Sequence, residues 1–179
     1  MPRIDPVDPA SATPEQRATH AEGVRRFGRM TNMKRTLLHS FPAYRALMEW
    51  YPLREEVVPF LGERLTDIFT YAISAETDCL ICSTYFRRHL VDAGEDPDTL
   101  VLDEHEQLVA DFGRALATNN AFLPDDLYRR VEAEFTREQV VALTAFGAMM
   151  VATNVFNNAL DVELDEYLES YRGKAEEKA

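Results

Sequence analysis

Between Leu61 and Ile73 apolar residues recur at three- and four-residue spacing: Leu61, Leu65, Ile68, Phe69, Ala72 and Ile73. That period lines them along one face of an α-helix. At about 100° per residue Asp67 falls off the stripe, on the side of Tyr71 and Ser74. If the helix buries one face only, Asp67 is a solvated carboxylate; it serves a site only if its own face is covered too. Glu76 would extend the stripe, but Ser74 to Asp78 reads as the turn before the next helix. It stands as a second carboxylate candidate.

The same reading covers the rest of the chain. Residues 1–13, with Pro2, Pro6 and Pro9, cannot sustain a helix and read as a flexible or draped arm. Thr13-Pro14-Glu15 starts a short helix to about Gly28, with proline at the first helical position. Asn32 to Ser40 and Pro42 to Tyr51 follow as two short helices, and Pro52 and Pro59 are expected to break the chain again. A helix from Cys79 ends near Gly94. Asp103 with Glu106 predicts a capping box for a helix to about Thr118, closed by Asn119 and Asn120. Leu123-Pro124-Asp125 opens another to Phe135. Thr136 with Gln139 precedes Val140 to Val155, apolar nearly all round, as a central buried helix is. Gly147 lets a neighbouring helix come close there, and Asn154, Asn157 and Asn158 are expected to bond to helix ends or across an interface. A last short helix, Leu164 to Tyr171, precedes a charged tail at 172–179. No alternating strand and no glycine-rich phosphate loop is present, so the fold class is all-α, as a single domain over residues 14–171.

Charge narrows the partners. Against 19 Lys and Arg stand 31 Asp and Glu, a net charge of −12 that repels nucleic acid and anionic membrane. The N-terminal stretch has neither a signal-peptide pattern nor a membrane span, which predicts a cytoplasmic protein. The only two cysteines, Cys79 and Cys82, stand three apart, a spacing for redox or metal chemistry in a reducing compartment rather than for a disulfide framework. No second cysteine pair exists, and His20, His39, His89 and His105 are scattered, so no metal is expected. Asp103, Glu104, His105 and Glu106 read as acids favoured in a first helical turn.

Thr77 and Asp78 are helix-capping types, so the predicted helix starts at Cys79 and holds both sulfurs in its first turn. There the free N–H groups and the dipole stabilise a thiolate. Cys79, Cys82, Phe86 and His89 share one face. His89 lies seven residues beyond Cys82, about 10 Å along the axis, too far for a direct hydrogen bond.

The run from Asp67 through Cys79 and Cys82 to Phe86 resembles the AhpD-like alkylhydroperoxidases of the carboxymuconolactone decarboxylase superfamily. Their pattern is a Glu, a Cys-x-x-Cys about a dozen residues on, and a His four residues after the second Cys. Here Asp67 takes the carboxylate position, and Phe86 stands where the His belongs. The likeness extends faintly from about Thr31 to Tyr171. It implies an all-helical protomer that assembles into a homo-oligomer, trimer or hexamer. It also implies a hydroperoxide substrate, a dithiol reductant or thiol redox protein as partner, and no cofactor. Dipole reasoning favours Cys79 as the attacking sulfur; the resemblance implies Cys82, with Cys79 resolving. The family's carboxylate and His relay protons, which Phe86 cannot do, so His89, Glu76 or Tyr85 are the candidate substitutes. The readings left open are an antioxidant thiol hydroperoxide reductase or disulfide oxidoreductase, a non-catalytic redox-sensing or binding protein, and the superfamily's lactone chemistry.

Overall fold

A computed structural model of the chain describes residues 1–118 and 121–173. The predicted closure by Asn119 and Asn120 and most of the charged tail lie outside the described residues. Nine α-helices are described: α1 (Pro14–Phe27), α2 (Asn32–Leu37), α3 (Phe41–Met48), α4 (Trp50–Leu61), α5 (Glu63–Glu76), α6 (Leu80–Asp92), α7 (Glu104–Ala117), α8 (Asp125–Glu134) and α9 (Arg137–Ala159). The predicted last helix is a 3-10 turn over Glu166–Tyr171. No strand occurs among the described residues.

The starts are set locally. Thr13, Asp103 and Thr136 each form a capping box with the residue three positions on, satisfying free N–H groups at the heads of α1, α7 and α9. The expected break at Pro52 and Pro59 does not occur, because α4 runs through both. Pro52 stands in the first turn, where an N–H has no partner within the helix. Pro59 stands in the last, and Gly62 N–H closes the helix on the Val58 carbonyl at 2.8 Å.

The core gathers around α5, which packs on α7, α6, α9 and α4. Both sides of α5 are therefore covered within one chain, and Asp67, Thr70 and Ser74 are buried along with the apolar stripe. Phe69, fully buried, stacks between Phe112 of α7 and Phe146 of α9 at ring separations of 6.4 and 6.0 Å. Glycine makes this approach possible. A Cβ on Gly147 would stand 2.5 Å from Leu116 Cδ1 and 3.0 Å from Phe69 Cζ, and one on Gly113 would stand 3.0 Å from the Phe69 carbonyl oxygen. By length and composition α9 could cross a membrane; here it lies against α4, α5 and α7.

A second apolar cluster joins α1, α2 and α3 to the N-terminal arm through Val7, Ala12, Met30, Leu37, Leu38, Tyr44 and Met48. The arm is draped over the body: Arg3 N–H donates to the Leu160 carbonyl at 3.0 Å and Val7 N–H to the Arg35 carbonyl at 3.3 Å.

Candidate active site

Where α5 ends and α6 begins, the backbone fixes the first sulfur. Asp78 N–H bonds to the Ala75 carbonyl at 3.2 Å and Cys79 N–H to the Ser74 carbonyl at 3.1 Å. These are the paired bonds of a Schellman ending. Asp78 takes the left-handed conformation at φ 49°, which aspartate tolerates better than most side chains. Cys79 thus closes α5 and is also the N-cap of α6, whose first residue, Leu80, lies one beyond the predicted start. Thr77 and Asp78 do not cap α6, because the turn uses them to finish α5.

Three asparagines on α9 hold this turn. Asn154 Nδ2 donates to Thr77 Oγ1 and Asn158 Nδ2 to the Thr77 carbonyl, each at 2.8 Å. Between them Asn157 Nδ2 donates to Cys82 Sγ at 3.2 Å and reaches Cys79 Sγ at 3.9 Å. Asn154 and Asn158 do what the sequence suggests of them. Asn157 as partner of both sulfurs was not foreseen; the available signal was a buried amide on an apolar helix, which must find a polar contact.

Both cysteines are free thiols. Cys79 has no exposed surface and Cys82 is 6% exposed, lining a cavity of about 360 Å³ with Trp50, Tyr51, Tyr85, Phe86 and Met150. The thiol of Cys79 is held below the usual cysteine range by the Cys82 S–H directed at it, and further by the Cys82 amide, Asn157 and the Ile81 amide, against the opposing effect of burial. Those amides are free N–H groups of the first turn of α6, although none makes a formal cap bond to the sulfur. Cys82 is pushed well above the usual range by its hydrogen bond to Cys79, by burial, and by the charge on Cys79. Of the two thiols Cys79 therefore ionises first, and when the pair holds a single proton it rests on Cys82.

The ultraviolet thiolate band of the reduced protein is expected to grow in two steps, one below and one above the ordinary cysteine range. Asn157→Leu removes a donor that favours both ionised forms, so both steps should move to higher pH. A single unshifted step in wild type would contradict a shared proton.

Asp67 and His89 meet each other rather than the sulfurs. His89 Nδ1 is 3.2 Å from Asp67 Oδ1, and Arg54 Nη2 is 3.8 Å from the same oxygen. The hairpin of α5 and α6 explains this, since both residues stand equally far from Asp78 at its bend. Asp67, 8% exposed, is covered by α6 and α4 and is not the solvated group that one-sided burial would leave. His89 packs on Tyr85 at 4.6 Å between rings, and Tyr85 in turn lines the cavity, its phenol pushed up by burial. Phe86 is buried, edge-on to Tyr85 at 5.1 Å and 6.0 Å from Trp50. Glu76 ends α5 with its side chain exposed and makes no hydrogen bond to either sulfur. His105 pairs with Glu134 at 2.7 Å. Among the described residues no group of three or more His, Cys, Asp and Glu is placed to hold a metal.

No family model and no curated protein matches the chain. Solved structures do. An alkylhydroperoxidase AhpD core, an uncharacterized peroxidase-related protein from Ralstonia eutropha JMP134, superposes with a TM-score of 0.71 at 16% identity, over 93% of this chain and 94% of that one. The debrominase Bmp8, as a cysteine-to-alanine variant in complex with 2,3,4-tribromopyrrole, gives 0.75 at 16% identity over 94% of each chain. A peroxidase-related protein from Silicibacter sp. TM1040 gives 0.69 at 14% identity, over 94% and 96%. The fold is the all-α AhpD-like fold.

Proposed function

We propose that the chain is a thiol-dependent hydroperoxide reductase that cycles Cys79 and Cys82 between dithiol and disulfide. The observation that carries this reading is the asymmetry of the pair: a buried, more acidic Cys79 beside a Cys82 that faces a cavity, with Asn157 bonded across both.

Cys82 attacks the terminal oxygen of the hydroperoxide as Cys79 takes its proton. The O–O bond breaks, Cys82 becomes a sulfenic acid, and the departing alkoxide leaves as alcohol once Cys79 returns the proton. Cys79 thiolate then attacks the Cys82 sulfur, forming the disulfide and expelling hydroxide. A dithiol reductant restores both thiols by exchange, supplying the two electrons that cleaved the O–O bond. In this scheme Cys79 is the internal base, and the histidine replaced by Phe86 is dispensable though costly to lose. Asp67 and His89 act through Tyr85, orienting it at the cavity wall. No resident cofactor enters. Copies of this chain are the further partner proposed, since α9 turns Val141, Ala145, Ala148, Ala152 and Val155 outward.

One equivalent of cumene hydroperoxide should remove both free thiols of the reduced protein, and dithiothreitol should sustain turnover. If peroxide oxidises the pair but no dithiol sustains turnover, the chain is a redox sensor. Phe86→His restores a proton carrier next to the pair and should raise turnover about 10²-fold, the lower end of the range for general acid-base help. An unchanged rate would show that another group already moves the proton.

The aromatic cavity supports a second reading, reductive removal of bromine from an aromatic ring, suggested by the name debrominase that Bmp8 carries. There the dithiol would supply two electrons and one ring proton, releasing halide. Halide release from a bromopyrrole, with no peroxide consumption, would favour it.

A further inference from the structure

This inference rests on the cavity beside Cys82 being the substrate site. The chain carries a net charge of −12, yet the cavity wall holds Lys34, Arg29 and Arg88 against one carboxylate, Asp165. Lys34 is only 5% exposed. Its ammonium donates to the Arg29 carbonyl at 3.3 Å and lies over the rings of Phe27 and Tyr51 at 4.4 and 5.0 Å. Burial pulls its pKa down to about 8, with Asp165 acting the other way, so a charged lysine here opposes folding at neutral pH. A buried cation that works against stability asks for a counter-charge.

The wall also has unused donors. Arg88 Nε and Trp50 Nε1 are buried without a hydrogen-bond partner. Arg88 is flanked by the rings of Tyr85 and Tyr167 at 5.3 and 5.6 Å, interacts with the Tyr85 phenol, and stands 4.0 Å from Asp92. An unpaired donor in such a place costs free energy unless a ligand supplies the acceptor. Cys82 and Arg88 are both on α6, six residues apart, which sets them about 9 Å from each other along the axis. At about 360 Å³ the cavity is at the small end of ligand pockets.

We propose that the cavity selects a small planar organic carboxylate, aromatic or conjugated. Its acid group sits at Arg88 and Lys34, its flat body lies among Trp50, Tyr51 and Tyr85, and its reacting end meets Cys82, less than two turns of α6 before Arg88. Arg29, exposed at the rim, draws the anion in. For a peroxidase this makes the substrate an organic acid hydroperoxide rather than hydrogen peroxide.

Titration calorimetry of the reduced protein with trans-cinnamate, neutral cinnamamide and butyrate tests the idea. Cinnamate should bind at least tenfold tighter than either of the others and should slow alkylation of Cys82 by iodoacetamide. Arg88→Gln, and separately Arg29→Gln, should weaken cinnamate binding about tenfold and leave cinnamamide unchanged. Equal binding of acid and amide, indifference of both variants, or binding that leaves Cys82 unprotected would overturn it. Turnover of cumene hydroperoxide, which is uncharged, separates the two readings. Turnover without cinnamate binding defeats this inference alone; cinnamate binding with no turnover defeats the peroxidase and leaves the acid site.

Discussion

Cys82→Ser is expected to reduce dithiothreitol-driven hydroperoxide consumption by about 10³-fold or more, because the sulfur that faces the cavity is then gone. Cys79→Ser should behave differently. Its Cys82 remains at the cavity, so one equivalent of peroxide still yields a sulfenic acid that dimedone traps, but slowly, since the internal base has been lost. No disulfide forms, and turnover stops after the first event. Mass spectrometry after a single dose of peroxide distinguishes the two: a dimedone adduct on Cys82 in Cys79→Ser, and an unmodified chain in Cys82→Ser. An adduct on Cys79 in Cys82→Ser, with turnover retained, would reverse the assignment and favour the sulfur that the helix dipole alone selects.

The second large effect is on stability. Phe69→Ala empties the contact between α5, α7 and α9, where the ring stacks on Phe112 and Phe146 and fills the space left by Gly113 and Gly147. Removing a fully buried phenylalanine costs about 3–5 kcal/mol. For a chain of this length that lowers the thermal midpoint by roughly 6–20 °C. Phe122→Ala is the control, since that ring is 80% exposed and its loss should stay within about 0.5 kcal/mol. Similar melting curves for the two variants would mean that the three-helix contact does not carry the core.

The helices were legible because most of them are written locally. Capping boxes and a period of three to four residues decide where a segment turns helical before any neighbour is present, and Thr13, Asp103 and Thr136 each mark a start without tertiary help. Proline at 52 and 59 misleads because its effect depends on its place in the turn: α4 puts Pro52 in the first turn, where no N–H bond is lost, and Pro59 in the last, where a single bond is forgone just before the helix ends. The sulfur pair was visible as a pair. What surrounds it was not, since Asn157 comes from another helix and the burial of Asp67 depends on what packs over α5. The meeting of Asp67 with His89 lay closer to hand: a hairpin bending at Asp78 brings together residues equidistant from the bend.

One consequence follows from where Asn157 stands. The amide that bridges the sulfurs lies 75 residues beyond Cys82, so a chain truncated ahead of α9, or still emerging from the ribosome, carries both thiols without that donor. The Asn157 share of the Cys79 acidity arrives only when the last long helix docks, so that share is a readout of completed folding.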